Sequence, residues 1–173
     1  MKLLACPKCH QQLHLENKTL KCENNHCYDI SKRGYINLLL NPDKATNNPG
    51  DSKESLVARK AYLNKGYYDP ILNQVITCID EFKHQDDLSI LDLGCGEGYY
   101  TQGLKKHFEN SDIYGLDISK IAIDMATRYR KDVTWLVGNS KNIPILDHSL
   151  DFICALFTVV NQDELKRALK EDG

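Results

Sequence analysis

Residues 90–100 read Ile-Leu-Asp-Leu-Gly-Cys-Gly-Glu-Gly-Tyr-Tyr, an apolar run that ends in an acid and opens into glycines at alternate positions, Gly94, Gly96 and Gly98. Without a Cβ, each glycine lets the backbone turn tightly and approach a ligand closely. A strand that runs into such a loop and then into a helix is how open α/β sheets build a nucleotide site. The pattern after the loop fits that reading. Strands are predicted at 88–93, 112–116, 133–137 and 150–157, with helices at about 98–108, 119–130 and 161–170. Strand–helix alternation with short connections gives a parallel sheet of right-handed crossovers. Upstream, a cap at Asp51 or Ser52 predicts a helix at about 53–65, and apolar spacing predicts another at 69–83.

The glycine spacing alone is weaker than a full dinucleotide fingerprint. Two acids narrow it. Asp92 stands two residues before the first glycine, where a dinucleotide enzyme more often carries an apolar residue. Asp117 ends the second strand, where a carboxylate can accept both ribose hydroxyls. An Asp-x-Gly-x-Gly-x-Gly loop with that second acid is the pattern of an S-adenosylmethionine-dependent methyltransferase. The loop would let backbone amides approach the methionine part, and a carboxylate would meet its ammonium. Asn139, after the third strand, stands where such sites often hydrogen-bond adenine.

Four of the seven cysteines fall within the first 27 residues. Cys6-Pro7-Lys8-Cys9 is followed by Cys22, His26 and Cys27. Clustering at one end points to a metal rather than to a disulfide scaffold. Two thiolates two residues apart grip one face of a tetrahedral ion, and a distant pair closes the other. Zinc suits sulfur and nitrogen donors. Spacing leaves His26 and Cys27 open as the fourth ligand. A closed four-ligand site is structural, and His10 and His14 read as surface residues.

The chain carries 42% hydrophobic and 27% charged residues and a net charge of −2, which suits a globular protein and does not advertise nucleic acid. No apolar stretch approaches the roughly 20 residues of a membrane span, and the apolar part of the first residues reads as too short for a secretory signal. A cytoplasmic protein with no membrane partner is expected. The expected organisation is a zinc-binding module at 1–37, a polar linker at 38–54, and the N-terminal part of a methyltransferase domain at 55–173.

With both motifs in view, the chain resembles the bacterial 23S ribosomal RNA guanine-N1 methyltransferases of the RlmA type, a group that includes members conferring resistance to tylosin-type macrolides. The resemblance rests on Cys6-Pro7-Lys8-Cys9, Cys22 with His26, Tyr28-Asp29, Gly34-Tyr35-Ile36-Asn37-Leu38-Leu39 and Pro49-Gly50-Asp51-Ser52. It continues in Ala58-Arg59, Gly66-Tyr67-Tyr68-Asp69-Pro70, the glycine loop, and Gly115-Leu116-Asp117-Ile118-Ser119-Lys120. It implies a Rossmann-like class I methyltransferase domain of about four parallel strands, incomplete at its C-terminal end, behind a zinc-ribbon-like module. It also implies that Cys6, Cys9, Cys22 and His26 hold zinc, and that Tyr68, Tyr99 and Tyr100 join the loop glycines and acids in holding S-adenosylmethionine. The implied partner is a 23S rRNA hairpin, contacted in part by Lys2, Lys8, Lys18, Lys21, Lys32 and Arg33, with a homodimer among the expected assemblies. The chain departs from the family at Phe157-Thr158-Val159-Val160-Asn161, where an aromatic–small–Pro segment is usual. The rival expectations are a small-molecule methyltransferase with a ribbon appendage and a non-catalytic RNA-binding remnant.

Overall fold

The computed structural model describes all residues except 41–49, 84 and 172, so most of the expected linker, including Pro49 of the resembling segment, lies outside the described residues. The first 29 residues form a small antiparallel sheet of β1 (His14–Glu16), β2 (Thr19–Lys21) and β3 (Cys27–Asp29), in the order β1-β2-β3. Glu16 pairs with Thr19 across a two-residue turn, and Asn17 takes the positive φ that turn needs.

The second sheet is all parallel, in the order β4-β7-β6-β5-β8. Its strands are β4 (Ile36–Asn37), β5 (Ser89–Leu93), β6 (Asp112–Asp117), β7 (Thr134–Val137) and β8 (Phe152–Cys154). Four of these match the expected strands. The fifth, β4, comes from the cysteine-rich end of the chain. Ile36 aligns with Leu136 and Asn37 with Val137.

Among the described residues, five helices complete the fold: α1 (Lys53–Leu63), α2 (Asp69–Phe82), α3 (Tyr99–His107), α4 (Lys120–Ala126) and α5 (Gln162–Ala168). Ser52 caps α1, its hydroxyl accepting from the Ser55 amide at 3.1 Å. α4 is shorter than expected. Its last turns tighten to Arg128 N–Met125 O and Tyr129 N–Ala126 O bonds, and the Arg130 carbonyl accepts from the Trp135 indole at 2.8 Å. β8 is shorter than expected, ending at Cys154, and beyond it Phe157 adopts φ +56.

Side chains alternate across the parallel sheet, so both faces are buried. Ile90, Ile113, Trp135 and Val137 face Ile79 of α2, Leu104 of α3 and Ile123 of α4. Leu91, Leu93, Tyr114 and Leu136 face the other way. There they share one core with Leu4, Cys6, Leu13, Leu20 and Cys22 of the small sheet and with Ala168 of α5. The cysteine-rich unit therefore covers a sheet face. It is tied there by Ala5 N to Pro144 O at 3.0 Å and by Asn142 Nδ2 to Pro7 O at 2.9 Å. Among the described residues, no helix is long and apolar enough to cross a membrane.

Candidate metal centre and cofactor cleft

The ligand atoms of Cys6, Cys9, Cys22 and His26 all lie within 4.8 Å of one another. The Cys9 and Cys22 sulfurs are 3.7 Å apart, and His26 Nδ1 is 3.4–3.5 Å from all three sulfurs. Zinc bonds of about 2.3 Å to sulfur and about 2.0 Å to nitrogen set tetrahedral edges of about 3.8 Å and about 3.5 Å. The four atoms fit one zinc ion. Cys27 stands apart, exposed and donating to the Asn25 carbonyl at 3.5 Å, so of the two candidates left open by spacing the structure brings His26 into the cluster. The Tyr28 hydroxyl lies 3.2 Å from the Cys6 sulfur and can donate to its thiolate from outside the ligand set. His10 and His14 are exposed.

At the carboxyl ends of β5 and β6, the glycine loop folds back on the second strand. The amides of Gly94 and Cys95 donate to Leu116 O at 2.8 and 3.1 Å, and Gly98 N donates to Cys95 O at 2.9 Å. Gly96 N donates to Asp117 Oδ2 at 2.9 Å, while Asp117 Oδ1 accepts from Ser119 N at 2.7 Å. Asp117 thus fastens the loop from behind. Its burial raises its carboxyl, opposed by those two amides.

In front of the loop lies a cavity of about 310 Å³. Tyr68, Asp92, Gly94, Gly96, Tyr99 and Tyr100 all line it. Gly98, Asp117 and Asn139 do not. Gly98 heads α3 at φ +87. Asn139 sits past β7, its Oδ1 accepting from the Lys141 amide at 3.0 Å.

Burial pushes the Asp92 carboxyl up to about 7, against the Thr101 hydroxyl that donates to it at 2.5 Å and with the nearby Asp117 charge adding to the rise. Burial also raises Glu97. A wall of carboxyls held in this way favours a cationic ligand, which would repay their desolvation. The Tyr100 hydroxyl is buried with no partner among the described residues, and a buried orphan at a cavity wall marks a place for a ligand's polar atom. The Tyr99 hydroxyl is taken by Asp69.

Sequence reading did not single out Glu97 or Arg59, both in the cavity wall, as site residues. Glu97 was visible inside the glycine loop itself. Arg59 reaches the cavity from α1, which no local pattern announces. Thr158 was also missed. It packs so closely on the loop that a Cβ on Gly94 would stand 2.5 Å from its own Cβ.

The sheet, the loop and the carboxyl-lined cleft define a Rossmann-like methyltransferase fold of the S-adenosylmethionine-dependent class, carrying an N-terminal zinc ribbon. Comparison with known proteins agrees. The family model described as "Methyltransferase domain" matches residues 90–172, and the one described as "RlmA, N-terminal", a zinc ribbon, matches residues 4–45. The 23S rRNA (guanine(748)-N(1))-methyltransferase of Streptomyces fradiae is 29% identical over 175 residues, covering 100% of this chain and 61% of that protein. The Bacillus subtilis protein YxjB, named provisionally for 23S rRNA (guanine-N(1)-)-methyl transfer, is 30% identical and covers 99% of this chain and 62% of its own length. A TehB-like S-adenosylmethionine-dependent methyltransferase of Corynebacterium glutamicum superposes with a TM-score of 0.53 at 26% identity, covering 69% of this chain and 68% of that one. In both its ribbon and its cofactor domain the chain is similar to the RlmA-type proteins. It spans about three fifths of the length of the curated relatives it matches.

Proposed function

We propose that this chain is an S-adenosylmethionine-dependent RNA methyltransferase that modifies N1 of a guanine in a 23S rRNA hairpin loop and acts in the cytoplasm. The observation that carries this reading is that the Streptomyces fradiae enzyme matches the ribbon and the cofactor domain together, across the whole of this chain. The cofactor, when bound, supplies a methyl group on a sulfonium that is already a good leaving group. The protein's share of the work is then alignment and desolvation. Asp92 offers a carboxylate to the cofactor's ammonium, Tyr100 an unspent hydroxyl, and Gly96 a side with no atom within 4 Å of where its Cβ would stand. Asp117 holds the loop and stands at the strand end where a ribose is gripped. Tyr68 and Phe157 stand with ring centroids 6.1 Å apart, an aromatic edge to the cavity. An unstacked guanine presented there suits a loop nucleotide rather than a helical one. Lys2, Lys8, Lys18 and Lys32 are exposed on the ribbon and its extension and are available to phosphates. Arg33 instead pairs with Asp124 at 2.8 Å.

The test is methyl transfer from labelled cofactor to undermethylated 23S rRNA, followed by mapping of the product. Label at guanine N1 is expected. Label elsewhere, or transfer only to small molecules, overturns the substrate assignment.

A further inference from the structure

Most of the glycine-loop amides that could receive the acidic end of an amino-acid ligand are already spent. Gly94, Cys95, Gly96 and Gly98 all donate within the loop or to β6. The other charged groups of the cavity wall, Asp92 and Glu97, are acidic and repel a carboxylate. Among the described residues of the wall, Arg59 carries the one positive charge. Lys60, the next residue, is turned away, its Nζ lying 3.4 Å from the centroid of the Tyr129 ring.

Arg59 is also set in place before any ligand arrives. Its Nη2 lies 2.6 Å from Asp51 Oδ2, with both side chains about half exposed (47% and 41%). That is the one ion pair Arg59 makes among the described residues, and it engages one nitrogen of a five-donor fork. The segment that carries Asp51 is anchored in turn. A Cβ on Gly50 would stand 2.8 Å from the Ser119 Cβ, so the backbone there is pressed against the N-cap of α4. Asp51 thus ties Arg59 to the start of α4.

The geometry points to Arg59 as the residue that receives the α-carboxylate of the cofactor's methionine part, with Asp51 as the residue that positions it. This rests on the S-adenosylmethionine reading and adds a polarity to the site. The ammonium faces Asp92 on the inner wall, and the carboxylate faces Arg59 at the mouth. A ligand with an amino-acid tail is therefore distinguished from adenosine compounds without one. A charge-assisted bidentate contact of this kind is worth at least about tenfold in affinity.

The test is calorimetric and needs no turnover. The chain is titrated with S-adenosylmethionine and with decarboxylated S-adenosylmethionine, which keeps the sulfonium and the ammonium. The wild-type chain should prefer the carboxylated ligand by about tenfold or more. Arg59→Met should lose that preference while binding the decarboxylated ligand as the wild type does, and Arg59→Lys should recover part of it. Asp51→Asn should weaken the preference without abolishing it. Equal losses for both ligands in Arg59→Met, or no preference in the wild type, overturns the assignment and leaves the cofactor reading standing. Failure of the wild type to bind either ligand overturns both. Unfolding curves of each variant separate a binding change from a folding one.

Discussion

A Cβ placed on Gly98 would stand 2.6 Å from Cη2 of Trp135, and 3.1 Å from the Cβ of Ala126. The third glycine of the loop is thus held by the core behind it. Gly96 differs, because no atom lies within 4 Å of its would-be Cβ and it lines the cavity. The two alanine substitutions should separate accordingly. Gly98→Ala must hold an L-residue at φ +87 and push the indole aside, at a cost of about 3 kcal/mol. Its melting temperature should fall by roughly 10 °C. Gly96→Ala, at φ +56, should cost about 1 kcal/mol and lose cofactor affinity instead. Thermal unfolding and calorimetry on both variants check the division. Equal stability losses would contradict it.

The buried Asp92 makes a pH signature. Its carboxyl stands at about 7 in the folded chain, raised by burial against the Thr101 hydrogen bond, and near 3.8 when free. Between those values the folded state holds a proton that the unfolded state has released. Stability from this group is therefore fully present at low pH and is lost as pH rises toward 7. Asp92→Asn removes the dependence while keeping an acceptor for Thr101. Its stability relative to wild type should be smallest near pH 4 and largest near pH 8, with a gain on the order of 3 kcal/mol. Denaturant titrations across that range measure it, and a constant difference would refute the assignment. In the wild type, a cationic ligand should bind more tightly at pH 8 than at pH 6.

The shared core makes a prediction about the metal. Leu4, Cys6, Leu13, Leu20 and Cys22 pack in one cluster with Leu91, Tyr114 and Leu136 of the parallel sheet. Loss of zinc should therefore lower a single unfolding transition of the whole chain rather than create a separate early one. Cys22→Ser and His26→Ala should lose bound zinc and melt lower, while Cys27→Ser, whose thiol lies outside the cluster, should keep both. Zinc content and calorimetric unfolding together decide it, and an unchanged main transition in metal-free protein would count against the shared core.

How much of this could be read from the sequence follows from range. β5, β6 and β7 match their expected positions closely, because each is a short apolar run between turn formers and announces itself locally. The glycine loop and Asp117 were legible for the same reason. β4 was not. Two residues, Ile36 and Asn37, become a strand only because Leu136 and Val137 lie beside them, a pairing across a hundred positions of chain. Arg59 and Thr158 reach the loop from elements that no local motif links to it. His26 and Cys27 sit side by side in sequence, and only the direction of β3, which turns the Cys27 thiol outward, separates them.

Arg167 carries the last prediction. Its Nε and Nη2 reach Glu164 Oε1 and Oε2, both at 2.9 Å, and its Nη1 reaches Asp147 at 2.6 Å. Nη1 and Nη2 also donate to the carbonyls of Ile145 and Ile143, both at 2.8 Å. Glu164 in turn accepts from the Ile143 amide at 2.7 Å. Burial alone would raise the Glu164 carboxyl, but the guanidinium and that amide outweigh it and hold it below the usual range. This network fixes the 143–147 segment, which pairs Ile145 with Leu4 of the ribbon. Arg167→Met strands a part-buried carboxylate and two carbonyls, so it should cost about 3 kcal/mol. Arg167→Lys keeps the charge but not the fork and should recover less than half of the loss. Glu164→Gln should cost less than Arg167→Met at pH 7, and the gap between Glu164→Gln and wild type should narrow as pH falls from the free carboxyl value of 4.5 toward the lower folded one. Denaturant unfolding of the three variants at pH 7 and pH 4 measures each value, and a loss under 1 kcal/mol for Arg167→Met would reduce the network to a solvated surface pair.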